Sequence, residues 1–179
     1  TTKSVAAGDD IIIAYATDPN QNLSFTLSDS AGNTYNQAAV SINSGQLRAY
    51  IFAAYNVNAL PSGSTITIDS GVAVTAKAAV ASVFRGLAEI GVLDKTSTGE
   101  NDASDTASSG ATPVTTQADE LLIGAVGTEG PQGDSAGTWG NSFTPGPRIG
   151  TTGGGDDSNI TVSMGYRIVS ATGAYTASK

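Results

Sequence analysis

The sequence predicts an all-β protein, a β-sandwich of the jelly-roll type, and three observations support this prediction. Apolar stretches are short, rich in β-branched residues and bounded by turn-forming residues, as in DIIIAYAT before DPNQN. Glycine-rich and Asp/Asn-rich turn segments recur at short intervals along the chain. The chain has 179 residues and no cysteine, so the core has to come from packed sheets rather than from disulfides. Many short, evenly spaced strands are typical of sandwiches and jelly rolls.

The expected strands fall into two series, each strand being an apolar or alternating run between two turns. The first series starts with the β-branched run IIIAYA, continues after the turns SDSAGN, NSG, LPSG and DSG, and comprises residues 10–17, 23–28, 34–40, 46–56, 64–69, 75–85 and 90–97. The second series starts with ELLIGAVGT and comprises residues 120–128, 140–144, 158–169 and 173–177. The run AVTAKAAVASVF has enough alanine for a helix, but its valines and threonine favour a strand.

One segment, residues 96–117, lacks apolar periodicity and is rich in Ser, Thr, Gly and Asp. Such composition is typical of a long surface loop or a linker. We therefore expect one sandwich domain, residues 1–179, built from two halves at about 1–95 and 118–179 that this segment joins.

Three blocks recur in the same order in the two halves, which indicates an internal repeat. AGDDIIIAYAT (7–17) aligns with ADELLIGAVGT (118–128), the turn DSAGNTY with DSAGTWG, and QLRAYIFAAYNV (46–57) with ITVSMGYRIVSA (160–171). In the repeated turn we expect Asp to accept backbone N–H groups and Gly to adopt a positive φ. Tyr35 and Trp139 then occupy equivalent anchoring positions at the start of the next strand.

The repeat also predicts a sandwich that lacks a terminal strand, because no counterpart of AKAAVASVFRGL follows the second half. A missing strand leaves unpaired backbone groups and an apolar slot, which a longer chain or another subunit would fill. We expect this assembly edge at the N-terminal segment and near the end of the last block, at Thr2, Lys3, Ser4, Val5, Tyr166, Ile168 and Tyr175.

Composition argues against several classes of function. The chain has 16 acidic and 8 basic residues, which makes nucleic acid an unfavourable partner, and its apolar runs are too short to insert into a membrane. Without His or Cys, catalysis would need paired carboxylates, and Asp9 and Glu120 are explained as residues that begin matching strands. We therefore predict no catalytic residues and no enzymatic activity.

Two ligand classes remain open on the residues alone. Calcium, the only candidate cofactor, prefers Asp/Asn-rich loops, and the candidate ligands are Asp156, Asp157 and Asn159, with Asp29 and Asn33 as a second set. A glycan would stack on exposed aromatic rings, for which Trp139, Tyr50 and Tyr55 are candidates. Tyr50 and Tyr55 lie five positions apart, so they face opposite sides of an unbulged strand.

The run TQADELLIGAVGTEG (116–130), the turn SDSAGNTY and the closing GYRIVSATGAYTAS (165–178) resemble β-sandwich repeat modules of large secreted or surface-exposed bacterial proteins. These modules are adhesin-like and have no assigned activity. The resemblance implies a sandwich at an extracellular or cell-surface location, and in that family a further apolar strand usually follows the last motif. It supplies no catalytic or ligand-binding residues.

These observations predict a non-catalytic structural subunit or module of an extracellular assembly, such as a filament, sheath or surface adhesin. It would assemble by edge-strand pairing or strand donation with itself, as a homopolymer, or with neighbouring modules. The alternative is a carbohydrate-binding module of a secreted protein, with a glycan as partner.

Overall fold

The computed structural model describes residues 1–18, 23–43, 47–101, 106–155 and 158–179. It confirms an all-β sandwich. The strands are β1 (Asp10–Asp18), β2 (Thr26–Asp29), β3 (Asn36–Ile42), β4 (Arg48–Ala54), β5 (Ile66–Asp69), β6 (Ala76–Phe84), β7 (Asp119–Glu129), β8 (Thr144–Gly150) and β9 (Ile160–Ser170). Within these described ranges, no helix has the length and apolarity needed to cross a membrane.

The strands form three antiparallel sheets. The largest has the order β3-β4-β1-β6, a second has the order β7-β9-β8, and β2 pairs with β5 in a small third sheet. The first two sheets pack face to face, since β6 contacts β8 and β9, β1 contacts β9 and β7, and β4 contacts β7. The candidate functional site lies between these two sheets.

Strand β1 is buried along its whole length because both of its faces are covered. Its even-numbered side chains, including Ile12 and Ala14, pack against Val162 and Met164 of β9 in the core between the two large sheets. Its odd-numbered side chains, including Ile13, pack in a second core under the β2–β5 sheet. Burial on both faces explains why IIIAYA is continuously apolar instead of alternating.

The internal repeat is visible in the topology. Strands β3, β4 and β1 lie side by side in the first half, and β8, β9 and β7 lie side by side in the same order in the second. Each half also has a register irregularity at the same place, between Gln37 and Ala39 in β3 and between Pro145 and Arg148 in β8. Bulges at equivalent positions support a common origin for the two halves.

The pairing corrects the third aligned block by one residue. Ile13 lies opposite Phe52, and its counterpart Gly124 lies opposite Gly165. Gly165 is therefore equivalent to Phe52, whereas the sequence alignment matched it with Ile51. A one-residue slip exchanges the two faces of a strand, so the correction decides which side chains enter the core.

Three expected strands differ from the structure. Residues 90–97 form no strand, and the strand expected at 140–144 instead runs from Thr144 to Gly150. Residues 173–177 form no strand, but their main chain is bonded to the segment interpreted as a loop or linker. The bonds include Ser109 N–H to the Ala177 carbonyl at 2.9 Å and Thr115 N–H to the Gly173 carbonyl at 2.9 Å. Residues 107–115 thus belong to the framework of the second half.

Candidate functional site

The N-terminal segment expected at the assembly edge is paired within the chain. Val5 is buried, and its N–H donates to the Leu60 carbonyl at 2.8 Å, while the Leu60 N–H donates back to Val5 at 3.0 Å. The Gly63 N–H donates to the Thr1 carbonyl at 2.8 Å. The side chains of Thr2, Lys3 and Ser4 are exposed. Residues 60–63 therefore occupy one side of this segment, and the assembly edge expected at Thr2–Val5 stays a prediction for its other side.

The second part of the expected edge is also paired. Tyr166 lies in β9, the middle strand of its sheet, opposite Ile123 on one side and Thr144 on the other. The main-chain N–H of Tyr175 donates to Thr112 Oγ1 at 3.0 Å, and its carbonyl accepts the Thr112 N–H at 2.9 Å. Ile168 is opposite Leu121 of β7, and its side chain is 76% exposed. The prediction that Tyr166 lies at an open edge is wrong, because β8 pairs with β9 on the side away from β7.

The open edge of the second sheet lies instead along β7. Among the described strands, β7 pairs with β9 alone, and no described strand pairs with its other side. The edge strand β8 carries Pro145 and Pro147, and the edge strand β3 carries a bulge, both of which discourage pairing with another chain. The sequence DELLIGAVGTE of β7 has no proline, and its pairing with β9 is regular over the whole strand. It is a long edge without these protective devices.

A cavity of about 990 Å³ lies beside this edge. Its walls include the inner faces of β3 and β4, the length of β7, and the segments 86–101 and 107–117. Several apolar side chains of the inner faces are only half-buried here, whereas Val162 and Met164 elsewhere between the same sheets are fully buried. These half-buried residues are Ala39, Ala49, Ile51, Ile123 and Ala125. We call this cavity and the free side of β7 the β7 groove.

The repeat accounts for the position of the β7 groove. In the first half, β6 lies beside β1 and packs over β8 and β9. In the repeat, β7 is equivalent to β1, and β3 and β4 are equivalent to β8 and β9. A strand equivalent to β6 would therefore lie beside β7 and pack over β3 and β4, which is where the cavity is. The sequence predicted such a slot from the missing counterpart of AKAAVASVFRGL but assigned the wrong residues to it.

One end of the β7 groove is acidic. Asp94 bonds to the Lys95 ammonium at 2.8 Å and accepts hydrogen bonds from the Thr116 N–H and hydroxyl, both at 2.7 Å. These bonds lower the pKa of Asp94 to about 2. Burial, together with the neighbouring Asp94, raises the pKa of Glu120, and its buried Oε1 has no hydrogen-bond partner among the described residues. The groove thus combines apolar side chains with a carboxyl group that has one unpartnered oxygen.

The residues expected to hold calcium form internal hydrogen bonds instead. The Asp29 carboxylate accepts from the Ala31 N–H at 2.8 Å, the Asn33 side-chain amide at 2.9 Å and the Tyr35 hydroxyl at 2.6 Å. Gly32 has a positive φ of 70°, so the predicted Asx-type turn is confirmed. Asp29 and Asn33 therefore stabilise this turn, because the side-chain amide of Asn33 donates a hydrogen bond to the Asp29 carboxylate.

The second calcium candidate lies in the loop before β9. Asn159 is buried, accepts from the Thr151 hydroxyl at 2.8 Å and donates to the Gly155 carbonyl at 2.6 Å, so its side chain fixes this loop. Asp156 and Asp157 lie outside the described residues. No cluster of three or more acidic side chains suited to a metal ion occurs in the part of the chain that is described.

The aromatic residues proposed for a glycan are not exposed platforms. Trp139 is buried against Gly124 and Gly165, and its ring stacks on Phe143 at a centroid distance of 5.8 Å. Tyr50 is buried under the β2–β5 sheet, and Tyr55 packs half-buried against the core between the large sheets. The expected opposite orientation of Tyr50 and Tyr55 is therefore confirmed, but the ring stacking that a sugar needs is not available at Tyr50 or Trp139.

Comparison of the chain with protein-family models, with curated proteins and with solved structures found no match in any of the three. The candidate site therefore stands on its geometry alone.

Proposed function

We propose that the chain is a non-catalytic structural module of an extracellular assembly that accepts a β-strand from a neighbouring copy or module in the β7 groove. The proposal rests on one observation: β7, which no described strand pairs on the side away from β9, runs along a large cavity at the position where the repeat calls for a strand. Main-chain hydrogen bonds to β7 would give affinity, and alternate side chains would fill the cavity.

The size and lining of the β7 groove support a polypeptide strand as its occupant. A volume of about 990 Å³ is at the upper end of what small-molecule sites offer, roughly 300–1,000 Å³. Strand β7 runs along the groove, no described strand pairs with it on the side away from β9, and such an edge is complementary to another strand. The resemblance to modules of surface proteins agrees with this use and suggests the extracellular location.

Self-association tests the proposal. We expect the purified chain to form concentration-dependent oligomers or polymers, measured by analytical ultracentrifugation and electron microscopy. The substitution Ala39→Arg places a long cationic side chain in the β7 groove and should abolish association. The matched control Ala81→Arg changes an exposed alanine on β6 and should leave association intact.

A strictly monomeric wild-type chain, at all concentrations tested, would contradict assembly of the chain with itself. Assembly that Ala39→Arg leaves unchanged would show that another surface carries the association. Circular dichroism of both variants verifies that each retains the β-sheet spectrum of the wild type.

A further inference from the structure

The first half of the molecule shows how a strand is held in the position that is open in the second half. Asp9 precedes β1, and Arg85 follows β6, directly opposite Asp9 in the antiparallel register. The guanidinium donates from Nε to Asp9 Oδ1 at 2.8 Å and from a terminal nitrogen to Oδ2 at 3.1 Å. This two-point contact satisfies a carboxylate whose side chain is only 6% exposed.

Glu120 is the counterpart of Asp9 in the repeat, since the aligned blocks match these two acidic residues without a gap. Glu120 lines the β7 groove, and its buried Oε1 has no hydrogen-bond partner among the described residues. The charge of Lys95 acts to lower the pKa of Glu120, but the Lys95 ammonium is bonded to Asp94. The second half therefore has the acid of the Asp9–Arg85 pair without an equivalent arginine.

We propose that the β7 groove selects a strand of the β6 type, in which small apolar side chains alternate and a basic residue follows, and that Glu120 binds this basic residue. This inference rests on the proposed function, in which the β7 groove accepts a strand. It adds which side chains that strand carries and how its residues align with those of β7. The first-half register places the basic residue opposite Glu120 and the equivalent of Val80 opposite Ala125. The strand runs antiparallel to β7.

Two independent features favour this occupant over another apolar ligand. The inward side chains of β6 are Ala76, Ala78 and Val80, and the equivalent positions over β3 and β4 are bordered by small residues such as Ala39 and Ala49. Burial of Glu120 and the neighbouring Asp94 raise its pKa, and a cation from the occupant would act in the opposite direction and lower it. A sterol or an uncharged strand would bring no positive charge to Glu120.

A charge-exchange experiment tests the proposal with a peptide copied from this chain. The probe is a fluorescent synthetic peptide of residues 75–86, and the titrated proteins are the full wild-type chain and its Glu120→Lys and Glu120→Gln variants. We expect saturable binding to the wild type and at least about tenfold weaker binding to Glu120→Lys. A peptide with Arg85→Glu should bind poorly to the wild type and recover its affinity for Glu120→Lys.

Controls locate the binding and separate the two proposals. Asp69→Lys makes the same type of charge change at an exposed residue of β5, which does not line the β7 groove, and should retain peptide binding. Amide hydrogen exchange should show protection of β7, not of β1, which distinguishes groove binding from displacement of the chain's own β6. Glu120→Gln keeps the inference testable if Glu120→Lys does not fold.

Three other results of the peptide-binding and self-association experiments are possible, and each contradicts one specific claim. Peptide binding that is insensitive to both charge changes overturns the role of Glu120 and leaves strand acceptance standing. Absence of peptide binding by a chain that still assembles through the β7 groove overturns the β6-type occupant alone. Charge-dependent peptide binding by a chain that remains monomeric supports this inference and contradicts assembly of the chain with itself.

Discussion

At the scale of single residues, Asp29 shows how one carboxylate organises a turn. Burial acts to raise its pKa, but hydrogen bonds from Tyr35, Asn33 and the Ala31 N–H outweigh burial and lower it. Burial and the same contact with Asp29 raise the pKa of Tyr35. The ionised carboxylate is therefore the form that the folded turn stabilises.

We expect Asp29→Ala to lower the free energy of unfolding by about 1–3 kcal/mol at pH 7, because the turn loses its acceptor. A carboxyl group whose folded pKa is depressed contributes stability above its unfolded pKa and loses it as the pH falls through the folded value. The difference between variant and wild type should therefore shrink below about pH 3.8, the ordinary pKa of Asp. Urea unfolding at pH 7 and pH 3 measures it, with exposed Ser30→Ala as the control. A difference that stays constant with pH would contradict the role of the ionised carboxylate.

Trp139 is the only tryptophan of the chain and reports on its own packing. A Cβ atom added to Gly165 would lie 2.7 Å from two atoms of the indole ring. We expect Gly165→Ala to displace the ring, to cost roughly 1–3 kcal/mol and to shift the fluorescence emission to the red. Gly153→Ala, which adds a methyl group in open space, should change neither quantity. Unchanged emission from a folded Gly165→Ala chain would contradict the tight packing of Trp139.

At the scale of elements, the sequence predicts strands best where their pattern depends on local chemistry. β1 and β6 were recognised from β-branched and alternating residues, and the Asp29 turn from its Asp and Gly. β8 was placed too early because Pro145 and Pro147 suggest a break, although an edge strand tolerates proline where no ladder bond is needed. Residues 90–97 have an apolar pattern but no partner strand, and Ile90 is 87% exposed.

The same scale explains why the open edge was assigned to the wrong strand. The repeat in the sequence indicates that a strand is absent, but it does not say which strands are neighbours in space. That depends on β8 pairing with β9 and on residues 107–115 pairing with 173–179. Both are long-range main-chain contacts that leave little trace in composition. Glu120 was noted as the counterpart of Asp9, but its importance depends on the contact between Asp9 and Arg85, which only the structure shows.

At the scale of the whole molecule, the two halves differ mainly in completeness. The first sheet has a four-strand order, β3-β4-β1-β6, and the second repeats only the first three positions as β8-β9-β7. Where β6 covers the second sheet, core residues such as Val162 and Met164 are fully buried, and where no described strand covers β3 and β4, residues such as Ala49 and Ile51 are half-buried. The β7 groove is thus a property of the whole arrangement rather than of any one strand.

This asymmetry predicts that a strand added in cis will close the molecule. We would fuse a second copy of residues 75–86 after Lys179 through a Gly/Ser linker of about 12 residues, which spans roughly 20 Å. Filling the β7 groove should stabilise the fold by about 2 kcal/mol and raise the Tm by roughly 4–8 °C. Calorimetry measures the Tm, and ultracentrifugation should show that self-association is lost because the β7 edge is now paired.

The matched control carries the same twelve residues in scrambled order after the same linker. It keeps the composition and charge of the fusion but not the alternation or the position of the arginine, so it should neither raise the Tm nor suppress association. A fusion that behaves like the scrambled control, with no added protection of β7 amides, would show that the cavity does not accept a β6-type strand. Protection of β7 together with a higher Tm would link the internal repeat to the way this module is completed.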